Sequence, residues 1–220
     1  MFKTLRDAWS IAEIRKKLLY TLLMLLIFRL GSAVVVPFLD TSTVSTWMAS
    51  NATGGNFLEY LDIITGGALS QATVFSLSIT PYINASIIMQ LLTIAIPKLE
   101  EMQKDGEDGR KKIAAITRYV TVGLALIESI AMSIGFGRQG MIPNLDFFKG
   151  VVVVACLTAG SAMLMWLGER ITEKGVGNGI SIVLTINIVS RIPSDMSLLY
   201  ENFVKGKTIA KGMLAGVIIF

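Results

Sequence analysis

The chain has 220 residues, 53% of them apolar and 16% charged, with a mean hydropathy of +0.64 and a formal net charge of +4. Soluble domains carry roughly a quarter of charged residues, so the composition indicates a membrane protein. There is no His and one Cys, which excludes histidine acid–base chemistry, a histidine zinc site and an intrachain disulfide.

Residues 1–17 are predicted to form an amphipathic helix, with Phe2, Leu5, Trp9 and Ala12 on one face and Lys3, Arg6, Asp7 and Glu13 away from it. Such a helix lies in the headgroup region or packs on the protein surface. Span 1, residues 18–36, follows Arg15, Lys16 and Lys17 and ends at Pro37. Arg29, inside that span, must face protein or water. Residues 38–56 are polar and hold no Lys or Arg. Phe57, Tyr60, Leu61 and Ile64 then make a short apolar stripe at helical spacing, broken by Gly66 and Gly67. This piece is too short to cross. It is either a re-entrant helix over 57–71, folded back into the protein, or a helix in an external loop.

Span 2, residues 73–96, contains Pro81 and is rich in Ser76, Ser78, Thr80, Asn84, Ser86 and Gln90. So many polar groups suit a face turned to other helices or to water. Residues 97–112 read as an exposed loop dense in both signs of charge. Span 3 covers 113–134, with Arg118 able to snorkel to the interface and Glu128 deeper. Span 4 covers 149–168, and its Cys156 reads as a small buried hydrophobe.

The turn 169–178 is unusual. Glu169, Arg170, Glu173 and Lys174 are followed by Gly175, Gly177 and Gly179. It reads as a shaped docking element. Span 5 covers 179–192, with Asn178 as its N-cap. It is short, and a full crossing needs Gly175–Asn178 or residues beyond Pro193. Residues 213–220 read as the start of a sixth span, because about 20 helical residues are needed to cross a core of ~30 Å. The expectation is therefore a piece of a larger protein.

Lys and Arg before span 1 and in 97–112, against none in 37–72, put the N-terminus, the 97–112 loop and the 169–178 turn on the cytoplasmic side. The sequence holds no nucleotide loop, metal cluster or nucleophile–base pair. The glycines at 175, 177 and 179 lack the preceding strand of a dinucleotide site. No enzyme activity, no catalytic residue, no metal and no cofactor are expected. One candidate is half of an inverted-repeat secondary transporter for a small solute, with Arg29 and Glu128 as its coupling pair; the alternative, and the favoured reading, is that each is tied into helix packing.

Two segments carry a family resemblance. Ser76–Gln90 resembles the second-helix signature of the SecY family, the channel subunits of bacterial protein translocases, departing at Ser78 where the family usually has Gly. Trp166–Leu184 is similar to the family's other signature throughout. Phe28–Gly31, Phe57–Leu61 and Lys104–Ile113 add to the likeness. The resemblance implies an all-α polytopic fold in which five spans and a plug helix form one half of a ten-helix inverted-repeat clamshell.

It further implies site roles. The plug would hold Phe57, Tyr60, Leu61, Ile64, Gly66 and Gly67. The pore ring would draw on Ile79, Ile83, Leu184 and Ile188, with Leu where the family usually has Ile at the first of the last two. Asn84, Ser86 and Gln90 would be gate-side polar groups. Arg110, Lys111, Lys112, Glu169, Arg170, Glu173 and Lys174 would contribute cytoplasmic docking contacts. The implied function is a multi-pass protein-conducting channel of the bacterial plasma membrane. It would pass unfolded polypeptides across and release signal sequences sideways into the lipid bilayer. The implied partners are SecE, SecG, a SecA ATPase or a ribosome, the nascent polypeptide and the other half of the channel; no direct DNA binding is expected.

Overall fold

A computed structural model of the chain describes residues 11–51, 62–143 and 146–203. The expected plug positions Phe57, Tyr60 and Leu61, most of the amphipathic segment 1–17, and residues 213–220 lie outside the described residues. Among those described, the regular elements are helices, joined by turns that hold one isolated antiparallel bridge between Val35 and Thr73.

Helix α1 (Ala12–Gly31) already includes the last residues expected in the N-terminal helix, and it stops at Gly31 rather than at residue 36. The run Val34-Val35-Val36 is β-branched and favours extended backbone. It leaves the helix to bond residues 72–74: Val36 N–H donates to the Ala72 carbonyl and Val74 N–H to the Val34 carbonyl, both at 2.9 Å.

Helix α2 (Thr41–Asn51) occupies a stretch expected to be polar loop. Asp40 caps it, accepting from the Ser42 N–H (3.0 Å) and from the hydroxyls of Ser42 and Thr43 (2.7 Å each). Val44, 1% exposed, anchors the helix to the core, with Trp47 and Met48 packed beside it. Asp40 is held below its ordinary value of 3.8, first by the Ser42 hydroxyl, then by the Thr43 hydroxyl.

Residues 62–64 make one helical turn, and 65–79 continue as irregular turns. Span 2 was expected from residue 73, but helix α3 (Thr80–Ala95) starts only at Thr80. Pro81 therefore sits in the first turn, where its missing N–H has no helical partner to lose. The turns before it use left-handed backbone at Ala72 (φ 51) and Ser78 (φ 54). Glycine adopts that region without a Cβ penalty.

The expected loop 97–112 is largely helix. Helix α4 (Pro97–Lys104) bends from α3 by 100°, and Lys104 pairs with Glu100 at 2.6 Å. Gly106 (φ 78) then turns the chain into α5 (Glu107–Arg138), which starts before the expected Ile113. Glu, Lys and Arg are good helix formers, so the helix runs past its apolar part into water.

Helix α6 (Phe147–Lys174) is capped by Asp146, which accepts from the Phe147 N–H at 2.9 Å, and it absorbs half of the expected 169–178 turn. Helix α7 (Gly179–Phe203) passes through Pro193 instead of ending there. A proline inside a helix removes one hydrogen bond, and neighbouring elements can absorb that loss. Among the described residues, α5 and α6 are each long and apolar enough to cross a membrane. The pair α3 and α4 adds a third only if the bent unit counts as one span.

The irregular segment 62–79 stitches two apolar clusters together. Leu69, Ala72 and Leu77 join Val36, Val44, Met141 and Leu157 in one, while Ala68 and Phe75 join Phe28, Leu164, Leu167 and Val183 in the other. Phe75 stacks on Phe28 with ring centroids 5.7 Å apart. Two glycines let the segment lie this close. A Cβ at Gly31 would stand 2.6 Å from the Phe75 ring, and one at Gly160 would stand 2.1 Å from the Val74 carbonyl oxygen.

Two outcomes follow from these contacts. The Asp40 cap contributes fully above pH 3.8. It should be lost as pH falls through the lower value of the folded state, because protonation removes the acceptor. Amide hydrogen exchange should show α2 opening in that acidic window while α5 stays protected. Gly160→Ala should cost roughly 1–3 kcal/mol by overpacking. Gly123→Ala, where nothing lies within 4 Å, should be neutral or mildly stabilising, read by thermal unfolding in detergent.

Candidate functional site

The segment 62–71 lies against α1 and α7 and encloses a small polar cavity. Gly66 (φ 68) and Gly67 (φ 84) end the helical turn at 62–64, with their N–H groups donating to the Ile63 and Asp62 carbonyls. Asp62, 5% exposed, turns its carboxylate onto the Ser70 N–H at 2.8 Å and braces the loop from within. Gly66 lies directly on the backbone of α7: a Cβ there would be 2.8 Å from the Asn187 carbonyl oxygen. The cavity, about 130 Å³, is lined by Arg29, Ser32, Thr65, Gln71 and Asn187 among others. It is large enough for water with polar partners.

The four expected ring positions are not equivalent. Ile79 is fully buried, with its Cδ1 3.5 Å from where a Cβ on Gly168 of α6 would stand. It fills the contact between the start of α3 and α6 and has no free surface in this chain. Ile83 and Leu184 are half-buried, and Ile188 is 46% exposed.

Two of the three glycines after Lys174, Gly175 and Gly179, serve packing, and Gly177 supplies left-handed backbone (φ 72). A Cβ at Gly179 would stand 2.0 Å from the Gly168 carbonyl oxygen, and one at Gly175 would stand 2.5 Å from the Thr21 hydroxyl. Thr21 also accepts from the Val176 N–H (3.1 Å), and Thr172 accepts from the Gly179 N–H (2.9 Å). The turn is thus a tight α6–α7 hairpin tied to α1. Asn178 caps α7 as expected, accepting from the Ile180 N–H at 3.1 Å.

Its charges are largely engaged within the chain. Glu169 accepts from the Arg118 Nε of α5 at 2.9 Å. Arg170 bonds Glu173 at 2.9 Å and stands over the Trp166 ring. Lys111 is 3.8 Å from Asp108, and the side chains of Arg110, Lys112 and Lys174 are exposed.

A second concavity, about 620 Å³, lies between α3, α4 and α5. Ser86 and Gln90 line it together with Thr93, Gln103, Arg110 and Thr117. Asn84 does not join them; it faces Glu128 of α5. Arg29 lines the small cavity instead, so the coupling pair expected of a carrier is not brought together.

A family model described as SecY matches residues 73–220. The chain belongs to the SecY family. The protein translocase subunit SecY of Halalkalibacterium halodurans is 43% identical over 204 residues, covering 91% of this chain and 46% of that protein. The SecY of Pseudomonas aeruginosa is 40% identical over 215 residues (96% and 48%), and that of Escherichia coli K12 is 42% identical over 188 residues (84% and 42%). The chain spans about half the length of these curated relatives. Two solved structures, Sec61 in the canine ribosome-channel complex from the endoplasmic reticulum and a protein conducting channel, share the fold. Each has a TM-score of 0.56 at 19% identity, covering 94% of this chain and 42% of the solved chain. The resemblance read from residues 76–90 and 166–184 is borne out, and the chain is an all-helical membrane protein with the SecY/Sec61 fold.

Three features escaped the sequence reading. Asn187 is 4% exposed inside an apolar helix, Asp62 is buried in the SecY segment 62–71, and Arg118 pairs with Glu169 across 51 positions. A lone polar residue in an apolar run was the available signal for the first two. The Arg118–Glu169 pair is partly exposed, so its coupling should be at most about 1 kcal/mol. A double-mutant cycle by thermal unfolding in detergent checks it: Glu169→Arg should destabilise, and adding Arg118→Glu should restore most of the loss.

Proposed function

We propose that this chain is the first half of a protein-conducting channel. In this reading five spans and a plug form one side of a ten-helix inverted-repeat clamshell in the bacterial plasma membrane, with the N-terminus cytoplasmic. The observation that carries the proposal is the irregular segment 62–79, packed against α1, α6 and α7 at Gly31, Gly160 and Asn187. Helical membrane proteins tolerate such backbone only inside protein or beside a wet cavity. Family membership supports the same reading.

The chemistry of the task explains the parts. An unfolded polypeptide cannot cross hydrocarbon, because each unsatisfied backbone group would cost several kcal/mol. The protein must supply a wet path and still exclude ions. Ile83, Leu184 and Ile188 offer side chains with no polar atoms. A constriction built from them dewets when empty and yields around a moving chain. Ile79 would back this ring rather than line it, holding the start of α3 to α6. Residues 57–71 would act as the plug, with Ile64, Gly66 and Gly67 among its described residues.

A signal sequence gains about 0.8 kcal/mol per buried CH₂ on entering lipid, so a seam open to the bilayer lets that energy bias opening. The groove holding Ser86 and Gln90 is the candidate gate side, with Asn84 close by. SecE, SecG and a SecA ATPase or ribosome are the proposed partners. Arg110, Lys112 and Lys174, with Lys111 beside Asp108, would be the exposed cytoplasmic cations, and Glu169, Arg170 and Glu173 would shape that surface through their internal pairs.

The test is translocation. A complete channel carrying this sequence, reconstituted with its motor, should move a signal-bearing precursor into vesicles. Ile83→Asn with Ile188→Asn should raise resting ion conductance in a planar bilayer several-fold by wetting the constriction. A conductance equal to that of the unaltered channel would count against the ring. Failure to move any precursor would count against the function.

A further inference from the structure

We infer that Asn187 is a clasp that holds the plug segment and the start of α3 to α7 at rest. The inference rests on the channel reading above and extends it to a residue that reading does not use. Asn187 is 4% exposed, in the middle of a helix whose neighbouring positions are apolar. A polar amide is costly in such surroundings unless its hydrogen bonds are made.

Asn187 reaches two elements at once. Its side-chain Nδ2 donates to the hydroxyl of Ser78 at 3.4 Å, and Ser78 is itself 1% exposed. Ser78 stands immediately before buried Ile79, with left-handed backbone (φ 54) and its N–H on the Phe75 carbonyl at 2.8 Å. The backbone of Asn187 forms the seat for Gly66: a Cβ on Gly66 would lie 2.8 Å from its carbonyl oxygen and 3.2 Å from its Cα. One residue of α7 thus meets both the tip of the 62–71 segment and the residue that sets the entry of α3.

The geometry gives the contact a direction. Ser78 occupies backbone that disfavours side chains by roughly 1–2 kcal/mol, and the bond to Asn187 helps hold it there. Asn187 also lines the 130 Å³ polar cavity with Arg29 and Gln71. When the segment at Gly66 withdraws, that cavity widens at Asn187 and water can take over its amide. The clasp therefore opens without leaving a dry unpaired amide. It couples loss of the segment's seat to release of α3, so the two moves occur together.

The experiment uses the complete channel with Cys156→Ser and Ser70→Cys, reporting on the 62–71 segment by its alkylation rate. Resting conductance is recorded in parallel. Asn187→Leu keeps the bulk and removes the bond; Ser78→Gly removes the partner hydroxyl and relieves the left-handed strain, so it should fold. Each should raise the alkylation rate and the resting conductance, by up to roughly tenfold for one buried hydrogen bond. Gly66→Ala, which breaks the seat without touching either side chain, should do the same. If Asn187→Leu and Ser78→Gly both match the unaltered channel while that channel still moves precursor, the clasp is overturned and the channel reading survives. If the unaltered channel moves none, the underlying reading fails first.

Discussion

Backbone that leaves the helical state among membrane helices has to find its hydrogen-bond partners inside the protein. Residues 62–79 meet that demand in three ways. Their carbonyls and amides bond each other through tight turns, with the Thr73 and Ser76 hydroxyls both reaching the Ala68 carbonyl. The Asp62 carboxylate serves the Ser70 N–H. Val34 and Val36 supply the remaining bonds by leaving α1 early. None of this works unless the segment lies close to its neighbours, and Gly31 and Gly160 set that distance. The early end of α1, the late start of α3 and the small residue at position 160 of α6 are one solution to one constraint.

The same closeness leaves strain in place. Ala72 and Ser78 sit in left-handed backbone, and each carries a penalty of roughly 1–2 kcal/mol. Such residues persist only where surrounding contacts over-determine them. Ala72 is fully buried and its carbonyl is bonded by Val36; Ser78 is held by Phe75 and Asn187. In the proposed channel, contacts hold the segment against this strain, so losing one of them favours movement more than it would in a relaxed segment.

The parts of the fold that were legible in the sequence are those with a single dominant signal. The apolar cores of α5 and α6 stood out by composition, and Asn178 by its cap chemistry. Helix ends are harder to read, because a charged stretch suits an exposed loop and an exposed helix end alike. Glu107–Lys112 and Glu169–Lys174 are charged and helical, since charged residues have good helix propensity and a helix need not stop where the apolar part does. Helix α2 was hidden by its Ser and Thr content, although Asp40 before Val44, Trp47 and Met48 carried both a cap and an apolar spacing. The start of α3 could not be read from pattern. Ser76 to Ile79 look helical, and only tertiary contacts with α6 and α7 make them turns. The glycines at 175 and 179 were visible, but their reason was not. A docking role and a packing role suit the same sequence, and the packing shows only in the distances to Thr21 and Gly168.

The burial of Ile79 bears on how the proposed opening would widen. Ile83, Leu184 and Ile188 retain free surface, so they can change rotamer around a passing chain while the helices stay where they are. Rotamer changes in exposed side chains are fast and cheap. Ile79 has no such freedom, because it is packed on Gly168 with α3 behind it. Moving α3 outward would expose Ile79, at a cost of roughly 1.5–3 kcal/mol for one such side chain. In the proposed channel two regimes would follow: small extended segments would pass by side-chain deflection alone, while a helix-sized signal sequence would also have to break the Ile79 contact. Its own transfer to lipid can supply that free energy, because burying only a few CH₂ groups at about 0.8 kcal/mol each exceeds the cost. A position that resembles a ring residue in sequence would then act as the threshold that separates threading from sideways release.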